Sequence, residues 1–147
     1  NRYRLEKTLE LEVERAERFK QPLSIIALDI DDFKIVNDEF GHANGDMVLV
    51  QMSRLLKKNI REIDLLARWG GDEFMILLPN TGLEAAAHTA EKLRQLIVDA
   101  KLDKRATITT SFGVAQLRQG ESAMRLSIRA DNALYQSKDS GKNRISS

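Results

Sequence analysis

Near the start of the chain, apolar side chains return every three to four positions (Leu5, Leu9, Val13, Ala16) among Glu, Arg and Lys, which predicts an amphipathic helix. Pro22 closes that helix, because proline cannot continue the hydrogen-bond ladder. The run LSIIALDI at 23–30 is apolar almost throughout and ends in an acid, so it predicts a buried strand. DFKIVNDEF at 32–40 predicts a short helix closed by Gly41, and after Gly45 the spacing of Val48, Leu49, Met52, Leu55, Leu56 and Ile60 predicts another. Segments 64–69 (DLLARW) and 72–79 (DEFMILLP) flank Gly70-Gly71. They predict two strands joined by a two-residue glycine turn of the primed type, which needs positive φ. Ala86, Ala90, Leu93 and Ile97 mark a helix over 82–100. The β-branched stretch 106–117 (ATITTSFGVAQL) predicts a strand, and 122–141 predicts a final helix capped by Gly141.

The order after the first helix is β-α-α-β-β-α-β-α. That order points to an α+β, ferredoxin-like layout, a mostly antiparallel sheet covered by helices. No repeat or low-complexity linker interrupts it, so residues 1–147 are expected to form a single domain. A net charge of +1 argues against nucleic acid or an anionic membrane as a partner. Cysteine is absent, which excludes disulfides and thiolate metal sites and suits a reducing compartment. The abrupt opening in charged helical sequence suggests a domain cut from a longer protein.

The candidate chemistry lies in acids at strand ends. Asp29 closes the first strand, with Asp31 and Asp32 just after it, and Asp72-Glu73 follow the paired glycines. Singly, such acids are most often solvated turn residues or helix caps. If the hairpin pairs beside strand 23–30, Asp29 and Asp72 meet. Two close carboxylates repel, and a hard divalent cation relieves the conflict. Mg²⁺ takes oxygen ligands, typically one or two carboxylates plus substrate phosphates. Two acids on adjacent strands therefore point to a Mg-nucleotide site for phosphoryl or nucleotidyl transfer, with Gly70 and Gly71 letting phosphates approach the backbone. Lys34, Asn37, Asp38, His42, Asn44 and Asp46 form a second polar group around Gly41 and Gly45. Lys34 is placed to meet a phosphate, and Asn37 and Asp46 suit a guanine edge. Asp46 would otherwise be an N-cap, and His42 alone reads as structural. A third group, KDSGKNR at 138–144, supplies Lys138, Lys142 and Arg144, either for phosphate or for the helix dipole.

Together, IDDFKIVNDEFGHANGD (30–46), RWGGDEF (68–74), TTSFGVA (109–115) and ADNALYQSKDSGKNR (130–144) resemble the successive signatures of the GGDEF family, the diguanylate cyclases. The resemblance spans essentially the whole chain. It implies a nucleotidyl-cyclase-like domain with a five-stranded sheet that condenses two GTP into cyclic di-GMP and two pyrophosphates. Each protomer would hold one GTP, so a two-fold homodimer would be needed. It implies Asp29, Asp72 and the Ile30 carbonyl as ligands of Mg²⁺, with Mn²⁺ as the alternative. Glu73 becomes a candidate to help deprotonate the ribose 3′-OH, with the identity of the base left open. Asn37 and Asp46 match the guanine readers, Lys34 falls near the phosphates, and Lys138 and Lys142 match the phosphate-binding basic pair. His42 and the two glycines complete the substrate-binding set. Arg61-Glu62-Ile63-Asp64 matches the family's RxxD product-inhibition motif, although an i,i+3 surface pair has the same pattern. Lys92 and Arg94 are the alternatives for its third member.

Two departures stand out. Lys142 replaces the arginine of the family's GRN, a point charge where a fork is usual. The family's upstream D-x-L-T segment is missing, so the fragment is expected to be less active than its parent, which would carry a sensory or receiver module upstream. The resemblance also implies a cytoplasmic domain without membrane contact of its own. A non-catalytic receptor for cyclic di-GMP or GTP is the competing class, and the intact Asp29, Asp72 and Glu73 argue against it. A polymerase-like domain is disfavoured by small size and by only 5% aromatic residues.

Overall fold

A computed structural model of the protein describes all residues 1–147. Its elements run α1 (Arg2–Phe19), β1 (Leu23–Ile30), α2 (Phe33–Phe40), α3 (His42–Lys58), β2 (Leu65–Arg68), β3 (Glu73–Pro79), α4 (Leu83–Ala100), β4 (Thr110–Gln116), α5 (Ala123–Asp139) and β5 (Ile145–Ser146). The five strands form one sheet in the order β2-β3-β1-β4-β5. All pairs are antiparallel except β4–β5, which is parallel. The ferredoxin-like expectation therefore holds, and the one strand the sequence pattern did not show is the two-residue β5 at the far edge.

Both faces of the sheet are covered, which is why β1 is apolar along its length rather than alternating. Ile26, Leu28, Ile30, Phe74, Ile76, Leu78, Phe112 and Val114 point to a core shared with α2, α3 and α4. Leu23, Ile25, Ala27, Met75, Leu77 and Ala115 point the other way, to a core shared with α1 and α5. This parity decides the orientation of the acids. Residues two apart on a strand share a face, so Asp29 and Glu73 both look toward the α1/α5 side. Gly113 lies on that same face. A Cβ there would come within 2.2 Å of the Ala130 carbonyl oxygen and the Leu134 nitrogen, so only glycine lets α5 lie this close to β4.

Three boundaries differ from the sequence pattern. α3 starts at His42, so Gly45 lies inside it, and Asp46 is an exposed residue of the helix rather than its cap. β4 begins at Thr110 rather than at 106. The segment between β2 and β3 is a four-residue loop, Trp69 to Asp72, and neither glycine in it has positive φ. The loop closes differently from a primed turn: the Glu73 carbonyl accepts from the backbone N–H of both Trp69 (2.8 Å) and Gly70 (3.2 Å). The Arg68 guanidinium holds the carbonyls of Gly70 and Gly71 from outside.

Candidate active site

The register places Asp29 directly opposite Glu73, and the Asp72 carbonyl accepts from the Ile30 N–H at 3.3 Å. The strand pairing thus brings Asp29, Asp72 and Glu73 to one sheet end, as the sequence led us to expect. The Asp29 and Asp72 carboxyl groups lie close enough for Asp72 to act on the protonation of Asp29. Burial is the main cause that pushes the Asp29 carboxyl up to about 7; Asp72 and then Glu73 add to it, and Lys138 opposes it. Glu73 is likewise pushed up to about 7, first by burial and then by hydrogen bonding to Asp131, with Arg2 opposing. Oδ1 of Asp29 is buried and has no hydrogen-bond partner.

Asp31 lies just beyond the strand on the same side, and its environment is the opposite. Its carboxylate accepts from Ser111 Oγ (2.6 Å), Thr109 Oγ1 (2.7 Å), Lys138 Nζ (2.9 Å) and the Asn143 backbone N–H (3.0 Å). Burial alone would raise its pKa, but the bonds from Ser111, Lys138 and Thr109 outweigh it and hold the carboxyl below its ordinary value. Lys138 also donates to the Ile30 carbonyl at 3.2 Å and stands 3.8 Å from Asp29. The same ammonium therefore touches a candidate metal-ligating carbonyl and two of the acids. Lys142 is exposed and donates to Asp32 at 2.5 Å.

Asn37 and Asp46 sit on α2 and α3, on the opposite side of the sheet from the acids. A Cβ on Gly71 would meet nothing within 4 Å, and one on Gly70 only Glu73 at 3.8 Å. The chain itself does not exclude side chains there, so neither close packing nor positive φ accounts for the two glycines. Gly45 differs: a Cβ would fall 1.8 Å from Asn37 Oδ1, so a side chain there would displace the Asn37 amide from its place against α3. Lys34 and His42 are exposed, and the Asn44 amide is held by Asp103 at 2.6 Å. A groove of about 1000 Å³ runs between α3, the β2 edge and the start of α1, from Asp46 and Leu49 to Arg61, Asp64 and Arg68.

Arg61 and Asp64 form a closed unit. The Arg61 guanidinium donates to both Asp64 oxygens, to the Pro79 carbonyl (2.9 Å) and to Thr81 Oγ1 (2.6 Å). The Asp64 side chain is 2% exposed and that of Arg61 51%, so one face of the arginine stays open to solvent. An adjoining cavity of about 590 Å³ is lined by Arg61, Asp64, Lys58, His88 and Lys92. Arg94 lies elsewhere, bound to Glu91 and Asn143. Of the two alternatives for the third basic residue, the fold brings Lys92 to Arg61 and keeps Arg94 away.

The sequence profile described as "Diguanylate cyclase, GGDEF domain" matches residues 1–144. The chain belongs to this family. It is 42% identical to Diguanylate cyclase A of Treponema denticola over 130 residues, covering 86% of this chain and 35% of that protein. It is 40% identical to Diguanylate cyclase DgcP of Pseudomonas aeruginosa over 148 residues, covering 99% of this chain and 22% of that one. The chain thus spans about a fifth to a third of these two relatives. Among solved structures, the active GGEEF domain of a diguanylate cyclase from Vibrio cholerae superposes with a TM-score of 0.95 at 38% identity, covering 99% of this chain and 95% of that one. The GGDEF domain of DgcB from Caulobacter crescentus, in complex with c-di-GMP, gives 0.94 at 32% identity, covering 99% and 89%.

Two residues of this GGDEF site escaped sequence reasoning. Asp31 was visible only as one of three neighbouring acids, and nothing local distinguishes the one that four donors saturate. Asp131 belongs to the segment ADNALYQ, where it reads as an ordinary polar helix position. Helical spacing offered one signal: Asp131 lies seven residues before Lys138, on the same face of α5.

Proposed function

We propose that this domain condenses two GTP molecules into cyclic di-GMP with release of two pyrophosphates. The observation that carries the proposal is the half-buried Asp29–Asp72 carboxyl pair, in which burial pushes Asp29 up to about 7, under a loop whose glycines leave room for phosphates. No three acids or histidines there are arranged to hold a metal ion by themselves. A cation would therefore draw on two carboxylates, the Ile30 carbonyl and substrate oxygens, which is the pattern Mg²⁺ favours. The buried, unpartnered Asp29 Oδ1 fits such an ion. When bound, the metal would supply Lewis-acid stabilisation at the α-phosphate.

The chain's own residues divide the remaining work. Asn37 and Asp46 hold guanine across the sheet from the acids. Lys138 and Lys142 exchange their carboxylate partners for phosphate oxygens, and Lys34 lies on the phosphate side. Glu73 is the candidate to assist removal of the 3′-OH proton. That oxygen attacks the α-phosphorus of the partner's GTP, pyrophosphate leaves, and the reciprocal step closes the ring. One protomer holds one GTP, so the reaction requires a two-fold dimer. Product binding by Arg61, Asp64 and Lys92 limits turnover, and the exposed face of Arg61 and the basic cavity beside it support that role. We place residues 1–147 as one output domain within a longer cytoplasmic protein under an upstream sensory or receiver module. No helix of the domain is long and apolar enough to cross a membrane.

The deciding assay supplies purified protein with GTP and Mg²⁺ and identifies products. Cyclic di-GMP and pyrophosphate are expected, Asp72→Ala abolishes both, and the rate per protomer climbs with protein concentration. A rate that stays flat down to fully monomeric protein rejects the half-site mechanism.

A further inference from the structure

The proposed guanine readers sit on the two arms of one corner. Asn37 is on α2, Asp46 is on α3, and the chain turns between the helices at Gly41. The arms meet at Gly45, whose missing Cβ leaves room for the Asn37 amide. Among the secondary-structure elements α2 packs chiefly on α3. The placement of both readers therefore depends on what grips the corner from outside.

The loop between α4 and β4 supplies a grip. Its Asp103 side chain is only 2% exposed. One carboxylate oxygen, Oδ1, accepts from the Arg105 backbone N–H at 2.9 Å, which closes a local turn. The other, Oδ2, reaches out of the loop and accepts from the Asn44 amide of α3 at 2.6 Å. The Arg105 guanidinium then stands 4.3 Å from the centre of the ring of Phe40, the last residue of α2. One short loop thus holds both arms, α3 through Asn44 and α2 through Phe40. Asn44 lies two residues before Asp46, and Phe40 three after Asn37. The Arg105 N–H alone would close the turn, so the bond to Asn44 serves the corner rather than the loop.

We propose that Asp103, assisted by Arg105, is a positioning residue for base recognition: by clasping Asn44 and Phe40 the α4–β4 loop sets Asn37 and Asp46 at the spacing that fits guanine. Asp103 touches no substrate and acts through Asn44. The inference deepens the proposed function and rests on its assignment of Asn37 and Asp46 to guanine.

The test compares GTP with inosine triphosphate, which lacks the exocyclic amine of guanine and keeps every phosphate. In Asp103→Ala, KM for GTP should rise about tenfold with kcat within about twofold of wild type. The preference for GTP over inosine triphosphate, taken as the ratio of kcat/KM, should fall about fivefold. Asn44→Ala places a strong helix former on α3 and so keeps the fold; it should lose the same preference. The protein with both substitutions should lose no more than either alone, because each removes the same bond. Amide hydrogen exchange at residues 37–46 of the ligand-free protein should quicken in both single variants. An unchanged preference in Asp103→Ala overturns the proposal. So does a fall by one common factor for both nucleotides, or losses that add in the double variant, since a general loosening of the fold would produce those. A wild type that does not distinguish GTP from inosine triphosphate overturns the guanine assignment beneath the inference, and that failure is read in wild type alone.

Discussion

Asp29 and Asp31 are two positions apart, face the same side of the sheet and lie within reach of the same lysine, yet they are opposites. Asp31 is met by two hydroxyls, an ammonium and a backbone N–H, and stays ionised. Asp29 is pressed against Asp72, retains an unpartnered buried oxygen and is pushed up to about 7. The difference teaches that charge density alone does not mark a reactive acid. A carboxylate whose lone pairs are all occupied stabilises the fold, whereas one left in conflict with its neighbours has binding capacity to spare for a ligand that resolves the conflict.

The largest expected effect comes from removing the acid in conflict. Asp29→Asn should reduce cyclase activity by about 10²–10³-fold, as loss of one charged group at a reacting phosphate does, while leaving the metal-free protein at least as stable at pH 8. Parallel kinetics and thermal melts would expose the error if activity survived. Asp31→Ala should behave in reverse. It breaks a buried, charge-assisted network and leaves Lys138 without its closest partner, at a cost of about 3 kcal/mol, visible as a melting point lower by roughly 10 °C. A melting point unchanged in that variant would show the four donors to be dispensable.

Next in size is Gly113→Ala, which drives a methyl group into the α5 backbone and should cost about 1–3 kcal/mol. Because Lys138 moves with α5, its activity should fall further than its stability at assay temperature explains; a purely proportional loss would uncouple helix from site. Arg61→Ala should raise the cyclic di-GMP concentration for half-inhibition by about tenfold, since a bidentate guanidinium is lost. Unchanged inhibition would reduce Arg61–Asp64 to a clasp on the Pro79–Thr81 turn.

The smallest effect is the pH dependence of the metal-free protein. Asp29 and Glu73 have folded-state values above their unfolded ones, so their contribution is fully present below about pH 4 and is lost as pH rises through about 7. The melting point should therefore drop by about 2–4 °C between about pH 5.5 and about pH 8.5, with a shallower drop in Asp29→Asn. Asp31 has the opposite sign: its contribution is present above the ordinary aspartate range and disappears as pH falls below it. A metal-free melting curve that climbs from neutral to alkaline pH would contradict the assignment of Asp29 and Glu73.

Much of the fold was legible because hydrophobic period reports burial directly. β1 and β3 read as continuous apolar runs since both faces are covered, and the helical stripes of α1 and α4 match the residues that are buried. β5 was illegible because two residues carry no period. The Gly70-Gly71 connection was misjudged because a glycine pair looks the same in sequence whether or not it supplies positive φ. Only the bonds from Trp69 and Gly70 to the Glu73 carbonyl distinguish the two. The meeting of Asp29, Asp72 and Glu73 was legible in the acids at the strand ends, and what surrounds them was not: the four donors to Asp31 come from β4, α5 and the segments flanking them, and Lys92 rather than Arg94 lines the cavity beside Arg61.

The sequence by itself determined the order of elements, the family, and the strand ends where carboxylates would gather, because propensity, burial pattern and motif spacing are local properties of the chain. The tertiary structure alone decided which of those carboxylates are satisfied. Strand register sets Asp29 against Glu73 and Asp72, and the close seating of α5 over Gly113 brings Lys138 to Asp31 and Asp131 to Glu73. A carboxylate's state depends on the donors and charges within a few ångströms of it, and here nearly all of those come from other strands and helices.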